Sequence, residues 1–361
     1  MRLSKLFKNA PTVNITGLSF DSRTVRPGNI YFCLPGLTND GHDFIDSAIK
    51  NGAVCIVHSK ELLNMAPGAV YIRVEDVNDA MNKVARIFYA RPSDKMKMYG
   101  VTGTNGKSTI TNIIRDIIND KTPCGYIGTI AIKYGDIELQ PNLTTPDALF
   151  LQSKLADMVR CGMKACALEV SSHGLAQHRV DGISFDCAIF TNLTYDHLDF
   201  HGTMENYFEA KTLLFKNLVK EDGVSVINKD DEKYGALKDC SKARVISYAI
   251  NSEADYRAIN IKMSSQGTQF DLVYSVLRST PRSSMISRSY SSKLAMNSDL
   301  SSENIPVRRF RMVGKFVIST GTSRSSRALA IQPAKKDLPV PTSPNRSRPV
   351  LFLYASFQFS T

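Results

Sequence analysis

The sequence contains no Cys-x-x-Cys pair and no apolar run of the length that a membrane-spanning helix requires. Closely spaced cysteine pairs mark zinc sites and redox centres, so the seven scattered cysteines are expected to be reduced core residues. The first eight residues include three basic side chains where a secretory signal needs an apolar stretch. We therefore expect a cytoplasmic protein with no membrane partner.

Proline is sparse, with 15 residues in 361, and an excess charge is absent from most of the chain. Residues 275–361 hold 14 basic and 3 acidic side chains, which leaves 31 of each sign in residues 1–274. The whole net charge of +11 therefore belongs to the tail. The composition excludes a fibre or a chain disordered throughout and is typical of a globular protein with two or three domains.

Short apolar strands alternate with helical segments along the first 274 residues. Residues 1–92 are predicted to form a small N-terminal α/β domain. Residues 93–274 are predicted to form a central α/β domain with a mostly parallel sheet, as in P-loop ATPases. The predicted strands are 54–57, 70–74, 165–170, 185–191 and 223–228, and the predicted helices are 44–51, 78–88 and 204–215.

A glycine-rich turn follows an apolar strand at residues 99–102 and precedes a helix. Gly103 and Gly106 let the backbone approach an anion, the helix start offers free N–H groups, and Lys107 adds a cation. The longer form of this motif has glycine six positions before the lysine, where this chain has Val101. A plain glycine turn is the alternative to a site for ATP with magnesium. The predicted ATP-binding residues are Gly103, Thr104, Asn105, Gly106, Lys107, Ser108 and Thr109.

Candidate metal ligands lie next to this turn in the predicted sheet. Glu169 ends an apolar strand, and in a doubly wound sheet its carboxylate would emerge beside the turn at the carboxyl ends of the strands. Mg²⁺ prefers hard oxygen ligands, and Ser108 has the placement of the hydroxyl that binds the same ion. The alternative for a single acid after a strand is a helix cap.

Residues 191–201 place two acids and two histidines at a further strand exit. Imidazole and carboxylate groups can bind metal, but solvated or capping roles for Asp199 and His201 are equally compatible with the pattern. Lys211 lies on the predicted helix 204–215, where the pattern alone predicts a lysine that faces solvent.

The ordered motifs of residues 12–274 resemble those of the Mur ligase family, in particular the ligases that add the third amino acid of the peptidoglycan stem peptide. Thr-Thr-Pro-Asp at 144–147 and Glu-Val-Ser-Ser-His-Gly-Leu at 169–175 are specific parts of this resemblance. They argue against the alternatives, which are the dipeptide-adding Mur ligase and the folate-polyglutamylating relative. The other matching motifs are 21–28, 40–42, 103–108, 177–180, 196–202 and 210–211.

The resemblance implies roles for residues that the pattern alone does not assign. It implies that the catalytic residues are Lys107, Lys211, His197 and Glu169. It also implies that Lys211, carbamylated by CO2, joins His197 and Glu169 at a second magnesium ion, which overturns the solvent-facing interpretation. The implied metal ligands are Ser108, Glu169, His197 and Lys211. The implied substrate-binding residues are Phe20, Ser22, Leu37, Thr38 and Asn39 for the uridine nucleotide and Thr144, Thr145, Ser171, Gln177 and Arg179 for the muramyl peptide.

The implied reaction is the ATP-dependent formation of an amide through an acyl phosphate. The implied partners are UDP-N-acetylmuramoyl-L-alanyl-D-glutamate and an amino acid, either meso-diaminopimelate or L-lysine. We expect a monomer, with ATP and Mg²⁺ as cofactors.

The resemblance ends near Tyr274. Relatives are expected to continue into a third domain that recognises the incoming amino acid, whereas residues 275–361 contain 19 serines and 10 arginines without a sustained period. We expect disorder or out-of-frame coding sequence there, which would leave an inactive truncated chain that still binds the nucleotide-sugar or ATP. A nucleic-acid partner for the basic cluster at 308–311 is the other alternative, and its thin aromatic content argues against it.

Overall fold

The computed structural model describes residues 1–36, 39–264, 267–274 and 307–308. Their contacts divide them into two compact units, with the boundary between Tyr248 and Ala249. The predictions for Leu37, Thr38 and nearly all of the tail lie outside the described residues.

The first unit begins with a small parallel sheet of four strands, in the order β1-β2-β3-β4. Alternate residues of β2 face two different cores: Ile30 and Phe32 pack beneath one face, and Tyr31 packs beneath the other. A sheet that is covered on both faces explains why its strands are apolar throughout. The elements are β1 (Gly17–Ser19), β2 (Asn29–Phe32), α1 (Ile45–Lys50), β3 (Ala53–His58), β4 (Val70–Arg73) and α2 (Val77–Phe88).

A larger sheet follows in the same unit, in the order β12-β11-β10-β5-β9-β6-β7-β8. The first six strands of this order are parallel, and β7 and β8 complete the sheet as an antiparallel hairpin. Every residue of β9 is buried, as expected for an inner strand of a parallel sheet. The strands are β5 (Lys97–Thr102), β6 (Cys124–Ile127), β7 (Ile132–Tyr134), β8 (Ile137–Leu139), β9 (Ala165–Glu169), β10 (Phe185–Phe190), β11 (Val219–Asn228) and β12 (Arg244–Ala249).

Helices connect the strands of this sheet and bring their own starting residues to its carboxyl edge. They are α3 (Lys107–Asn119), α4 (Ala148–Arg160), α5 (Ser172–Ala176), α6 (Leu198–His201), α7 (Met204–Leu213) and α8 (Tyr234–Cys240), with a π-helical turn at Leu214–Leu218. Helix α2 of the small sheet packs against α4, where Met81 and Val84 share a core with Ala148 and Leu149. This packing joins the two sheets within the unit.

The predicted α/β class and mostly parallel central sheet are confirmed, with small differences at element ends. The predicted helix 204–215 continues as the π-helical turn to Leu218, and β11 begins at Val219 rather than at Gly223. The register against β10 shifts between Phe185 and Cys187, so the early part of β11 is an irregular extension that the sequence pattern did not indicate.

The second unit contains an antiparallel hairpin, β13 (Tyr256–Ser264) and β14 (Gly267–Tyr274). The backbone of β15 (Val307–Arg308) pairs with β14. Within the part of the chain that the structure describes, no helix combines the length and the apolar character needed to cross a membrane. All seven cysteines are free, and five of them are buried, as predicted. The prediction of a core position is wrong for Cys161, which is exposed, and Cys240 is only half-buried.

Candidate active site

The phosphate turn begins where β5 ends and closes at the first residue of α3. Gly103 has φ of 144° and Gly106 has φ of 84°, both in a region that side chains rarely adopt. A Cβ atom at Gly103 would lie 1.8 Å from Thr191 Oγ1. Both glycines are therefore required by the backbone, and the turn presents the N–H groups of the helix start to the cavity.

The loop after β10 holds this turn in place. Strands β5 and β10 are paired neighbours, so their carboxyl ends meet. The N–H of Thr104 donates to Asn192 O at 2.8 Å, and the N–H of Asn105 donates to Asn192 Oδ1 at 2.9 Å. Thr191 Oγ1 donates to Asn105 O at 2.6 Å. The turn is thus fixed by hydrogen bonds before any nucleotide binds.

Two lysine ammonium groups converge on one backbone carbonyl of the turn. Lys107 Nζ donates to Gly103 O at 3.0 Å and to Thr104 O at 2.8 Å, and Lys211 Nζ donates to Gly103 O at 2.9 Å. Burial lowers the pKa of Lys107. The pKa of Lys211 lies well below its ordinary value, because of burial and then because of the positive charge of Lys107.

Lys211 is 1% exposed, so the solvent-facing role that its helical pattern predicts is wrong. Helix α7 packs against α5 and buries Tyr207, Ala210 and Lys211. The ammonium group lies 4.2 Å from the centre of the Tyr207 ring, whose hydroxyl is 3.1 Å from Thr104 Oγ1. The Tyr207 ring therefore packs against the Lys211 ammonium group next to the phosphate turn.

Glu169, the last residue of β9, is fully buried and held by four hydrogen bonds. Its Oε1 accepts from Tyr126 OH at 2.5 Å and from Thr129 N at 3.0 Å. Its Oε2 accepts from Ser108 Oγ at 2.8 Å and from Thr129 Oγ1 at 3.0 Å. A Cβ atom at Gly128 would lie 2.0 Å from Oε1, so only glycine allows this close approach. The carboxylate is therefore locked in one orientation toward Ser108.

The donor set fits a magnesium ion shared with nucleotide phosphates. The Ser108 hydroxyl and the Glu169 carboxylate are hard oxygen groups in direct contact at the start of α3. Among the described residues, no cluster of three or more His, Cys, Asp or Glu side chains could hold a metal alone. An ion here would need further ligands from a nucleotide or water, which is the usual coordination of Mg²⁺ in such sites.

Three histidines group beside the two lysines. His197 has φ of 53°, and its ring centre lies 5.0 Å from that of His173. The ring of His201 lies 5.4 Å from that of His173, and its Nε2 is 3.0 Å from Ser172 Oγ. Burial lowers the pKa of both His173 and His201, and neighbouring positive groups add to the effect. His201 is thus a buried packing residue rather than a solvated one, whereas Asp199 is exposed.

A polar wall built from the segments after β8 and β9 faces the turn. Arg179 Nη1 donates to Thr145 O at 2.8 Å, and its other terminal nitrogen bonds Gln177. Thr145 is fully buried. Its hydroxyl donates to Glu169 O at 2.8 Å and accepts from Ser171 N at 2.9 Å. Thr145 therefore connects the polar wall to the end of β9 and lies beneath the cavity surface.

These groups enclose a cavity of about 490 Å³. The structure brings most of the predicted ATP, metal and peptide residues to it and leaves Gly103, Glu169, Thr145 and Gln177 off its lining. Phe20, Ser22 and Asn39 also lie off its lining, in the region of the small sheet. The lining residues are Thr104–Thr109, Thr129, Leu143, Thr144, Ser171, Ser172, His173, Arg179, His197, Tyr207 and Lys211.

Sequence reasoning missed the residues that hold Glu169 in place. Tyr126 and Thr129 come from the end of β6 and the turn after it, and β6 pairs with β9. A signal existed, because a Gly-Thr pair directly after an apolar strand belongs at the same carboxyl edge. The order of strands in the sheet, which the sequence does not state, makes β6 the neighbour of β9.

Family models provide the comparison that decides the identity of the chain. A model of the Mur ligase middle domain matches residues 101–290, which is more than half of the chain, and a model of the Mur ligase family, catalytic domain, matches residues 14–89. The chain belongs to the Mur ligase family. The middle-domain match extends beyond Tyr274, where sequence reasoning ended the resemblance.

Individual relatives agree with this assignment. The chain is 46% identical over 269 residues to UDP-N-acetylmuramoyl-L-alanyl-D-glutamate--2,6-diaminopimelate ligase 1 of Clostridium acetobutylicum, covering 74% of this chain and 54% of the relative. It is 43% identical over 262 residues to the corresponding ligase of Halalkalibacterium halodurans, covering 72% and 53%. This Mur ligase chain therefore spans about half the length of the curated relatives that it matches.

Solved structures extend the comparison to the fold. A structure of UDP-N-acetylmuramoyl-L-alanyl-D-glutamate--2,6-diaminopimelate ligase matches with a TM-score of 0.67 and 30% identity, over 76% of this chain and 57% of that one. A D-alanyl-D-alanyl-adding ligase from Acinetobacter baumannii matches with a TM-score of 0.51 and 17% identity, over 75% and 57%. The second likeness concerns the fold alone.

Proposed function

We propose that this Mur ligase chain adds the third amino acid, meso-diaminopimelate or L-lysine, to UDP-N-acetylmuramoyl-L-alanyl-D-glutamate in peptidoglycan synthesis. The observation that carries the proposal is the meeting of the phosphate turn, the half-buried Lys107, the buried Lys211 and the Arg179 wall in one cavity. The named relatives at 46% and 43% identity support the choice of this substrate within the family.

The first chemical step is phosphoryl transfer from ATP to the substrate carboxylate. A carboxylate oxygen attacks the γ-phosphorus, the bond to the bridging oxygen breaks, and ADP leaves with the electron pair. Such a transfer depends on positioning and on neutralisation of charge. The N–H groups at the start of α3 and the Lys107 ammonium group would bind the phosphates, while Arg179 would orient the carboxylate substrate from the opposite wall.

The second step forms the amide. The amine nitrogen of the incoming amino acid attacks the carbonyl carbon of the acyl phosphate, inorganic phosphate leaves, and the amine gives up a proton. His173 lines the cavity, and its ring lies 5.4 Å from that of the buried His201. Burial lowers the pKa of both groups, which favours the neutral imidazole. Orienting the acyl phosphate and excluding water would favour the amine over hydrolysis.

Magnesium, when bound, would neutralise the negative charge on the phosphate oxygens. Ser108 and Glu169 would hold it at the turn, and Glu169, His197 and Lys211 would hold a second ion if Lys211 is carbamylated. Burial lowers the pKa of Lys211, so this lysine loses its proton more readily than an exposed one. Once deprotonated, its nitrogen can attack CO2 and lose a second proton to form a carbamate. With ¹³CO2, a carbamate NMR signal that disappears in Lys211→Met would support this role, and an unchanged signal would refute it.

The test of the proposed activity is turnover by the purified full-length chain. ATP, Mg²⁺, the dipeptide nucleotide and meso-diaminopimelate or L-lysine are supplied together, and phosphate and tripeptide product are measured. We expect both to require the amino acid and to disappear in Lys107→Met. Phosphate release that does not require the dipeptide nucleotide would contradict the proposal.

A second candidate function is binding without turnover. The residues assigned above are proposed to hold ATP and the muramyl peptide, whereas none of them is assigned to the incoming amino acid. In that case UDP-N-acetylmuramoyl-L-alanyl-D-glutamate should raise the melting temperature although no product forms. Absence of both turnover and stabilisation would exclude both candidates.

We also propose that the chain works as a monomer in the cytoplasm, where its seven free cysteines would stay reduced. Sedimentation at micromolar concentration tests the first statement. A dimer that persists on dilution would contradict it.

A further inference from the structure

The loop that carries Arg179 into the cavity is held from behind by a residue of the small sheet's helix α2. Asn82 is 3% exposed and lies on α2 (Val77–Phe88). Its Nδ2 donates to His178 O at 2.8 Å and to Asn78 O at 3.0 Å. Its Oδ1 accepts from Gly182 N at 3.2 Å. One amide therefore satisfies both ends of the loop 178–182 at once.

A second amide supports the same loop from helix α4. Gln152 is 1% exposed, and its Nε2 donates to Gly182 O at 3.1 Å. A Cβ atom at Gly182 would lie 2.8 Å from that nitrogen, so the loop backbone fits closely between the two amides. His178 has φ of 56° and its Nδ1 lies 2.7 Å from Asp181 Oδ2, which closes the loop on its exposed side.

The loop leads directly to the site. Arg179, which follows His178, lines the cavity and bonds Thr145 O, and the Thr145 hydroxyl in turn bonds Glu169 O. Hydrogen bonds and the peptide bond between His178 and Arg179 therefore connect α2, through the loop and Thr145, to the end of β9. Buried amides with fully used donors resist displacement, because a lost partner leaves a buried polar group unpaired.

We propose that Asn82 is a positioning residue that sets the distance between the two places where one substrate is expected to bind. This inference rests on the proposed function, in which the uridine end lies at the small sheet and the peptide carboxylate lies at Arg179. Helix α2 packs on the core of the small sheet, and Asn82 on this helix bonds the loop that carries Arg179. These contacts would fix the uridine end of the substrate relative to its peptide carboxylate. In the proposed function UDP occupies only the place at the small sheet and ADP only the phosphate turn, so Asn82 should matter only for the complete nucleotide peptide.

The test measures binding of three probes to full-length Asn82→Ala by calorimetry. The dissociation constant for UDP-N-acetylmuramoyl-L-alanyl-D-glutamate should rise about tenfold or more, and those for UDP and ADP should stay within about twofold. Unchanged affinity for the nucleotide peptide, or an equal loss for UDP, would overturn the proposal. Gln152→Met removes one bond to the same loop, and its Oε1 has no partner among the described residues, so it should fold and show a smaller loss of the same kind.

Val84→Ala is the matched control, since Val84 is 2% exposed on the same helix and belongs to the core of the small sheet. It should lower the melting temperature without a selective loss for the nucleotide peptide. Hydrogen exchange without ligand decides the question even if the wild-type chain does not bind that nucleotide. Exchange of the Arg179, Gly182 and Ile183 amides should accelerate in Asn82→Ala and not in Val84→Ala, and equal exchange in both would refute the positioning role.

Discussion

At the scale of single residues, the site depends on places where a side chain is absent as much as on those where one is present. Glycine at position 128 lets Glu169 pass within the reach of Tyr126 and Thr129. Gly235 is a contrast, because a Cβ atom at that position would have no heavy atom within 4 Å. The two positions therefore separate a steric requirement from a neutral choice.

We expect Gly128→Ala to reduce ATP turnover by about tenfold or more and to lower the free energy of unfolding by about 1–3 kcal/mol. The added methyl group would displace the carboxylate from Ser108. Gly235 lies inside α8, and Gly235→Ala should keep full activity. It should raise the free energy of unfolding by up to about 1 kcal/mol, because alanine is the better helix former. Turnover assays and urea unfolding measure both variants, and equal effects would refute the steric explanation.

At the scale of elements, part of a motif that resembles a substrate-binding signature has a local structural role. Asp147 is the N-cap of α4, and its Oδ1 accepts from Phe150 N at 3.0 Å. Asp147→Ala should lower the free energy of unfolding by about 1 kcal/mol, whereas Asp147→Ser should retain most of it. Thermal unfolding compares the two variants. A loss of the same size in both would mean that the side chain acts otherwise than as a cap.

The amino ends of three parallel strands meet at one carboxylate. Asp186 on β10 accepts from Lys97 Nζ at 2.7 Å and Met98 N at 2.9 Å on β5, and it lies 2.9 Å from Lys220 Nζ on β11. Burial alone would raise its pKa, but these hydrogen bonds and the nearby positive charges outweigh burial and hold the pKa below the ordinary value of 3.8. Its charged form therefore stabilises the pairing of the strands.

Asp186→Asn should lower the free energy of unfolding by about 1–2 kcal/mol at pH 7, since exposed Lys97 contributes little and the Met98 N–H contributes more. A carboxyl group whose pKa is lowered by folding stabilises the folded state at pH values above its unfolded-state pKa. This stabilisation is lost as the pH falls through the folded-state pKa. The difference between wild type and variant should therefore shrink below about pH 4. Urea unfolding at pH 7 and pH 3 measures it, with exposed Glu221→Gln on β11 as control. A difference independent of pH would contradict the role of the charge.

At the scale of the whole molecule, the cysteines report on whether the fold is intact. Cys161 is exposed, Cys240 is half-buried, and the other five are buried. Burial raises the pKa of Cys33, Cys55 and Cys187 to about 12, so these thiols are unreactive while the chain is folded.

Thiol titration of the native chain should therefore show one rapid reaction at Cys161 and a slower one at Cys240. All seven thiols should react in denaturant. Cys161→Ser should abolish the rapid phase and leave the melting temperature unchanged. Rapid reaction of several thiols in the native chain would mean that the cores around the five buried cysteines are open to solvent.

The sequence by itself determined the α/β class, the phosphate turn and the position of Glu169 beside that turn at the carboxyl edge of the sheet. Each depends on local pattern: an apolar run of five residues makes a buried strand, and glycines before a lysine make an anion turn. The motif resemblance added the family, which the comparisons confirm. Local pattern is reliable here because parallel strands place their carboxyl ends at one edge.

Only the tertiary structure decided which neighbours these residues have. The helical pattern around Lys211 is that of an exposed lysine, yet packing of α7 on α5 buries it against the phosphate turn. Tyr126 and Gly128 reach Glu169 because β6 is the neighbour of β9, and Asn82 reaches the Arg179 loop because α2 packs on α4. Contacts between residues tens of positions apart depend on strand order and helix packing, and these arise from the balance of burial over the whole chain rather than from any local pattern.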